Sequence, residues 1–473
     1  MTKEREKKKM FKKLIKRYVG DRAFYKYVLA ITLPMIIQNT ITNLVNLLDN
    51  LMVGALGTEQ MSGVAIVNQF IFIFNLAIFG AISGAGIFTA QFNGRGDTEG
   101  VRNTLRLKLI ICAIVCLLGM TVFMTSGDFL IDSFLMAEEQ SGDIALTFKS
   151  GQDYLVYILI GLIPFAISQV YASTLRETGE TVVPMVASVV SVATNFVFNG
   201  LLIFGLLGFP ALGVVGAAIA TSLSRFAEVA ILVIWTHTHK EKCPFAVGLF
   251  KGFKIPASLT KQVIIKGAPI LANELFWSMS VTLRNQCYSI KGGDIVPAIN
   301  IAFTLQNLLS VAYFALSSAI AIIVGNLLGA GKLEEAKDTD RKLLAFSVFC
   351  GGVMMLAQIA IAPFFPYLYK TEDSVRELAT FVLTAYAFSM PAAALATSTY
   401  YTIRSGGRVF ITMLFDSVYA WVLVMPVVYV LAYFTDISFY YLLPIMLIVE
   451  NIKLIPGLIL VEKGIWVRQL KVE

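Results

Sequence analysis

Long apolar runs recur along the whole chain, and the first of them carries a carboxylate. The run from about Val28 to Leu56 is long enough to cross a bilayer, which takes roughly 20 apolar residues in a helix. Asp49 lies in its second half. An ionised acid at the centre of such a helix costs about 2.5–3.5 kcal/mol on insertion scales, so intramembrane acids are kept where they face water or a ligand. Asp49 is therefore expected to line a wet cavity and to bind a cation or a proton.

Twelve such runs are read along the sequence, at 28–54, 61–92, 104–126, 150–173, 182–205, 212–236, 263–289, 296–328, 342–365, 378–401, 409–434 and 439–461. The fold class they predict is an all-α polytopic membrane protein. Only 15% of the 473 residues are charged and 57% are hydrophobic, whereas a soluble domain carries about 25% charged residues. An even number of spans puts both termini on one side. Of the 38 Lys and Arg, 31 fall on the side of the N-terminus and four (Lys149, Lys291, Lys370, Arg376) on the other. By the positive-inside rule both termini are expected to be cytoplasmic, in a cell (inner) membrane. The net charge of +7 is concentrated in the basic segment 1–27. That segment suits a flank lying on anionic lipid, so membrane lipids are expected partners and nucleic acid is not. It has no A-x-A-like cleavage site and is not read as a removable signal. Five Cys (112, 116, 243, 287, 350) lack metal-ligand spacing and suit small packing roles.

The chain also repeats itself. Pro34 and Pro269 stand 235 residues apart, as do Phe79 and Phe314, Gly94 and Gly329, and Gly96 and Gly331. Pro164 with Leu175-Arg176-Glu177-Thr178-Gly179 is echoed by Pro391 with Ile403-Arg404-Ser405-Gly406-Gly407. The domain organisation expected is a basic segment 1–27, an N-lobe 28–236 of helices 1–6, an inter-lobe loop 237–262, a C-lobe 263–461 of helices 7–12, and a tail 462–473. Two pseudo-symmetric six-helix lobes, copies of one membrane unit in parallel order, follow. Internal repeats with polar sites near their interface are a pattern of secondary transporters.

Pro34 followed by Asp49-x-x-Met52-Val53-Gly54-x-x-Gly57 resembles the multidrug and toxic compound extrusion (MATE) transporters. The Gly94-x-Gly96-x-x-Glu99 and Arg176-x-x-Gly179 turns and the run Gly216-Ala217-Ala218-Ile219-Ala220-Thr221 add to the resemblance. With their second-half counterparts they extend it over nearly the whole chain beyond the basic segment. The resemblance implies a V-shaped cavity, alternating access, and export of cationic or amphiphilic organic compounds by antiport with sodium ions or protons. It implies a coupling site on the N-lobe, whose matches here are Asp49, Asn195, Asn199 and Thr221, with Na+ a candidate ligand of Asp49, Asn195 and Asn199. No enzyme activity and no cofactor beyond the coupling ion, Na+ or H+, are implied.

The residue types support that set on their own. Asn195 and Asn199 are at i, i+4 and share a helix face. One carboxylate with amide and hydroxyl oxygens suits a hard cation, and a carboxylate in low dielectric can carry a proton instead. A hydrogen-bonded interhelical network is the structural alternative.

The second half departs from the first. At the offset of 235, Arg284 replaces Asp49 and Glu274 replaces Asn39. Glu274 is expected to attract cationic substrate in the cavity, with Asn273, Asn39, Arg284, Phe70, Phe276 and Trp277 around it; the aromatics could stack on cations. Glu274 and Arg284 are ten residues apart, about 15 Å along a helix, too far to pair directly. Arg225 with Glu228, and Glu450 with Lys453, are at i, i+3 and are expected to neutralise each other on one helix face. Asp416 has no assigned role. Gly325-x-x-x-Gly329-Ala330-Gly331-Lys332-Leu333 lacks the spacing and final Ser/Thr of a P-loop, which excludes an ATP-driven pump. The closest rival is a lipid-linked saccharide flippase of the same two-by-six plan, which would want more cavity Arg and Lys than this chain offers. The expected partners are small organic molecules, and a monomer is expected.

Overall fold

The computed structural model describes residues 17–137, 143–252 and 254–471. Most of the basic segment 1–27, up to Lys16, and the last two residues of the tail 462–473 lie outside the described residues. Within them the chain is a succession of long helices: α1 (Arg22–Gly54), α2 (Thr58–Arg95), α3 (Thr98–Ala137), α4 (Ile144–Glu177), α5 (Val182–Phe204), α6 (Val214–Thr238), α7 (Ala257–Ser289), α8 (Ile295–Gly329), α9 (Leu333–Ile361) and α10 (Asp373–Ser405). Then come α11 (Val409–Tyr433) and α12 (Phe439–Glu462). Eleven of these are long and apolar enough to cross a membrane; α7 is the exception, since Lys261, Lys266, Glu274 and Arg284 interrupt its apolar stretch.

Several helices outrun their apolar centres. Near one end of α3, for example, Arg102 and Arg106 donate to the backbone carbonyls of Phe245, Gly248 and Leu249, pinning the segment between α6 and α7. Pro34, Pro164, Pro269 and Pro391 all sit inside helices, α1, α4, α7 and α10 in turn. The repeated turns share backbone conformation as well as sequence. Gly96 and Gly331 both have φ of 76°, a left-handed value that favours glycine.

By contacts the chain clusters into two units whose boundaries fall inside helices. The first unit holds Ile37–Thr89 and Asp97–Leu271; the second holds residues 17–36, Ala90–Gly96 and Ala272–Lys471. In the first, α6 packs against both α4 and α5, and α3 against α4. Gly80 and Gly84 of α2 lie against Leu271 and Gly267 of α7, so the small-residue run there serves a close helix crossing. In the second, α10 packs against α8 and α9. One apolar core there joins Ile299, Leu305, Val382, Leu383, Val428 and Leu442, and another joins Val28 and Ile31 to Leu316, Ile320, Leu343 and Trp466.

Candidate functional site

The polar residues of α5 fall on one stripe. Ser188, Ser191, Asn195 and Asn199 are all buried, and their spacing of three and four keeps them on one face of the helix. That face meets α6 and α1. Asn199 Nδ2 donates to the Asp49 carboxylate and, at 3.2 Å, to Asn195 Oδ1. Asn195 Nδ2 in turn donates to Thr221 Oγ1 at 3.1 Å. Asp49, Asn195, Asn199 and Thr221 are thus brought together, all within the first unit. The Asn199 Oδ1 atom is buried and finds no hydrogen-bond partner among the described residues. A buried acceptor with no donor costs on the order of 1–3 kcal/mol, and a cation is one species that satisfies it.

Two neighbours of Asp49 are not read as such from the sequence: Tyr154 is not singled out there, and Arg225 is read only as the partner of Glu228. Tyr154 of α4 is buried close enough for the Asp49 charge to act on it, and Arg225 of α6 acts on Asp49. Their signal in the sequence is faint, because a Tyr and an Arg among apolar residues have many possible neighbours. Further along the α5 stripe, Ser188 Oγ donates to Glu228 at 3.0 Å and accepts from Gln38 Nε2 at 2.8 Å. Arg225 approaches the same Glu228 at 3.5 Å, the i, i+3 pairing expected from spacing. Among the described residues no group of three His, Cys, Asp or Glu could hold a metal. The Asp49 cluster offers one carboxylate with amide and hydroxyl oxygens, a donor set that suits a hard cation.

The residues expected around the cavity are divided between the units. Asn39 is exposed on α1 in the first unit. Phe70, in the same unit, is buried with its ring edge-on to Phe134 at 5.3 Å, so it packs α2 against α3. In the second unit Phe276 and Trp277 are exposed on α7. Asn273 is buried, and Glu274 beside it is half-buried. Arg284 pairs with Glu450 of α12 at 3.0 Å.

That last contact corrects an expectation. Glu450 and Lys453 do not pair with each other; Lys453 Nζ lies 2.7 Å from Asp416 of α11 instead. The winding of α12 is interrupted at Ile452 and Lys453, between Asn451 and Leu454, but packing sets the partners: Arg284 of α7 stands opposite Glu450 and Asp416 of α11 opposite Lys453. Asp416, left without a role by the sequence, also accepts from Asn273 Nδ2 at 3.0 Å.

The MatE family model matches residues 34–201 and 269–430, once in each half of the chain. The chain belongs to the MATE family. This MATE chain is 29% identical over 336 residues to a Thermotoga maritima protein described as probable multidrug resistance protein NorM, covering 70% of each chain. It is 25% identical over 423 residues to a Halalkalibacterium halodurans protein of the same description, covering 88% of this chain and 89% of that one. Among solved structures, a MATE protein in the straight conformation matches with a TM-score of 0.84 at 19% identity, covering 95% of this chain and 97% of the other. The Vibrio cholerae MATE transporter VcmN matches with a TM-score of 0.80 at 19% identity, covering 93% and 97%. The MATE fold, a multi-pass helical membrane protein built as a transporter, is the frame in which the Asp49 cluster sits.

Proposed function

We propose that this MATE protein is a secondary active exporter of cationic or amphiphilic organic compounds, driven by antiport with sodium ions or protons. The observation that carries the reading is the Asp49 carboxylate joined to Asn199, Asn195 and Thr221 in one unit, with an unsatisfied amide oxygen beside it. Asp49, Asn195, Asn199 and Thr221 would hold the incoming cation. When a proton is carried instead, Asp49 is the group that takes it, being the one titratable side chain of the four. Ion and cargo then alternate because the conformation each favours differs, which is the thermodynamic requirement for any coupled exchange.

Support for export comes from the relatives' printed description as probable multidrug resistance proteins. The lobes would be 28–236 and 263–461, with residues such as Glu274, Phe276, Trp277 and Asn39 bordering the cargo path. Both termini would be cytoplasmic, and the transporter would work as a monomer in a cell membrane.

The deciding experiment uses proteoliposomes loaded with a cationic dye. Separate sodium and proton gradients are applied, to the unmodified protein and to Asp49→Asn. The reading expects efflux driven by at least one gradient and abolished in the variant. Efflux indifferent to both gradients overturns it.

A further inference from the structure

The second unit holds an ionic constellation that the coupling site leaves unused. We propose that Asp416 is a receiving carboxylate for the charged end of an aromatic organic cation, and that Lys453 is a tethered counter-cation displaced when the ligand arrives. The proposal rests on the export reading and adds to it a residue-level cargo site with its own release device.

Asp416 is held from two sides. One oxygen accepts from Lys453 Nζ at 2.7 Å, and the other from Asn273 Nδ2 at 3.0 Å. Asn273 is itself fixed by Ser417, whose hydroxyl donates to Asn273 Oδ1 at 2.6 Å and to its backbone carbonyl at 2.8 Å. The carboxylate is therefore immobile while its partner ammonium sits on a long flexible stem. The Asp416 and Lys453 side chains each retain 17% exposure. The pair is therefore not fully enclosed by protein, as a site open to a competing cation requires.

Both carriers stand on irregular backbone. Residues Leu414–Val418 and Ala420–Val424 of α11 are wound as π-helix, and Lys453 lies at the interruption of α12. Such windings are frequent at functional sites, where a helix can rearrange locally without unfolding. A second perch for the ammonium lies close by: Glu450 is three residues before Lys453, within reach on a helix, and it keeps Arg284 at 3.0 Å. Moving Lys453 from Asp416 toward Glu450 while a monovalent cation takes its place leaves the net charge of the Asp416 pair unchanged. No carboxylate is stranded in a low dielectric.

The neighbouring surface supplies ring chemistry. Phe276, three residues on from Asn273, and Trp421, five on from Asp416, meet edge-to-face at 6.4 Å, with Trp421 Nε1 donating to the Phe276 carbonyl at 2.9 Å. Phe276 is 47% exposed. Trp421 is half-buried. An anionic point and an exposed ring carried on the same two helices are the elements that recognise flat or aryl-bearing cations.

The probe is tetraphenylphosphonium, a permanently charged aryl monocation, titrated onto the purified full-length protein in nanodiscs. Lys453→Met is expected to tighten its Kd about tenfold and Asp416→Asn to weaken it by about tenfold or more. Uncharged triphenylphosphine oxide should respond to neither. Should a variant fail to fold, the unmodified protein still decides: saturating tetraphenylphosphonium should raise the labelling of Lys453 by an amine-reactive reagent, read by mass spectrometry. Unchanged or weakened binding in Lys453→Met, or Lys453 labelling that does not rise, makes the pair structural and overturns this proposal alone. No binding of the cation to the unmodified protein, together with no dye efflux in proteoliposomes, overturns the export reading and this proposal with it.

Discussion

The side-chain amide of Asn93 donates to that of Asn326 across 2.7 Å, joining the end of α2 to its repeat counterpart α8. Gly94 and Gly329 lie beside this bridge, 235 residues apart, and a Cβ on either would run into backbone of the opposite helix, that of Asn326 or of Gln91. Backbones can approach this closely only where both surfaces are small. Gly329→Ala is therefore expected to destabilise by about 1–3 kcal/mol, the range for overpacking. Gly352→Ala, where nothing lies within 4 Å, should be neutral or slightly stabilising because alanine favours helix. Thermal melts of the two purified variants in detergent give the comparison, and equal shifts would remove the crossing as a point of close contact.

Asp49→Asn is expected to reduce gradient-driven efflux by at least an order of magnitude while shifting the melting temperature little. The amide matches the carboxylate in shape and can still meet Asn199. What it loses is the negative charge that would hold a cation. Asn199→Ala should reduce coupling and also cost on the order of 1 kcal/mol of stability, because it strips hydrogen bonds from both Asp49 and Asn195.

Arg284 and Glu450 should behave as an energetic unit. Removing one partner of a buried pair costs about 3–5 kcal/mol because the other is left charged and unpaired. The Glu450 side chain keeps 29% exposure, so the low end, about 3 kcal/mol, is expected for Arg284→Met. The double variant Arg284→Met with Glu450→Gln should recover most of that loss. Urea or thermal unfolding across the double-mutant cycle measures it, and additive effects would mean the two side chains do not depend on each other.

Arg106 should control access to the segment between α6 and α7. Its guanidinium donates to Leu249 O at 2.7 Å and to Gly248 O at 2.8 Å. Arg106→Ala removes both bonds, and trypsin should then cut at Lys251 and Lys254 several-fold faster, since proteolysis follows local opening. Unchanged cleavage would assign the order of this segment to other contacts.

Cys243 should resist alkylation. It is 1% exposed, and burial, reinforced by the negative charge of Glu180, pushes its thiol up to about 11. Only the thiolate reacts, so at pH 8 about one molecule in a thousand is competent. The rate with a maleimide should climb roughly tenfold per pH unit until the pH approaches 11. A fast, pH-insensitive reaction at pH 8 would contradict this.

What the sequence made legible was whatever depends on period. The repeat at 235 residues foretold turns of equal conformation, and Gly96 and Gly331 share a φ of 76°. The i, i+4 spacing of Asn195 and Asn199 foretold one face, and both amides lie along it. Partner choice across helices was not legible. Glu450 has Lys453 at i+3, yet it takes Arg284 from α7 while Lys453 takes Asp416 from α11. Spacing identifies which charges can reach one another within a helix; packing decides which helix stands opposite. The π-wound stretches of α11 carry no Gly or Pro that would announce them, so the placement of Asp416 came only from three dimensions.

The polarity of α7 bears on how such a chain is made. A translocon sorts segments into lipid by their own greasiness, and each Lys, Arg or Asp near the middle weighs against entry. A helix carrying Lys261, Lys266, Glu274 and Arg284 is the poorest of the twelve at entering lipid unaided. Its entry into the bilayer would then depend on an apolar neighbour made after it, such as α8, rather than on its own side chains.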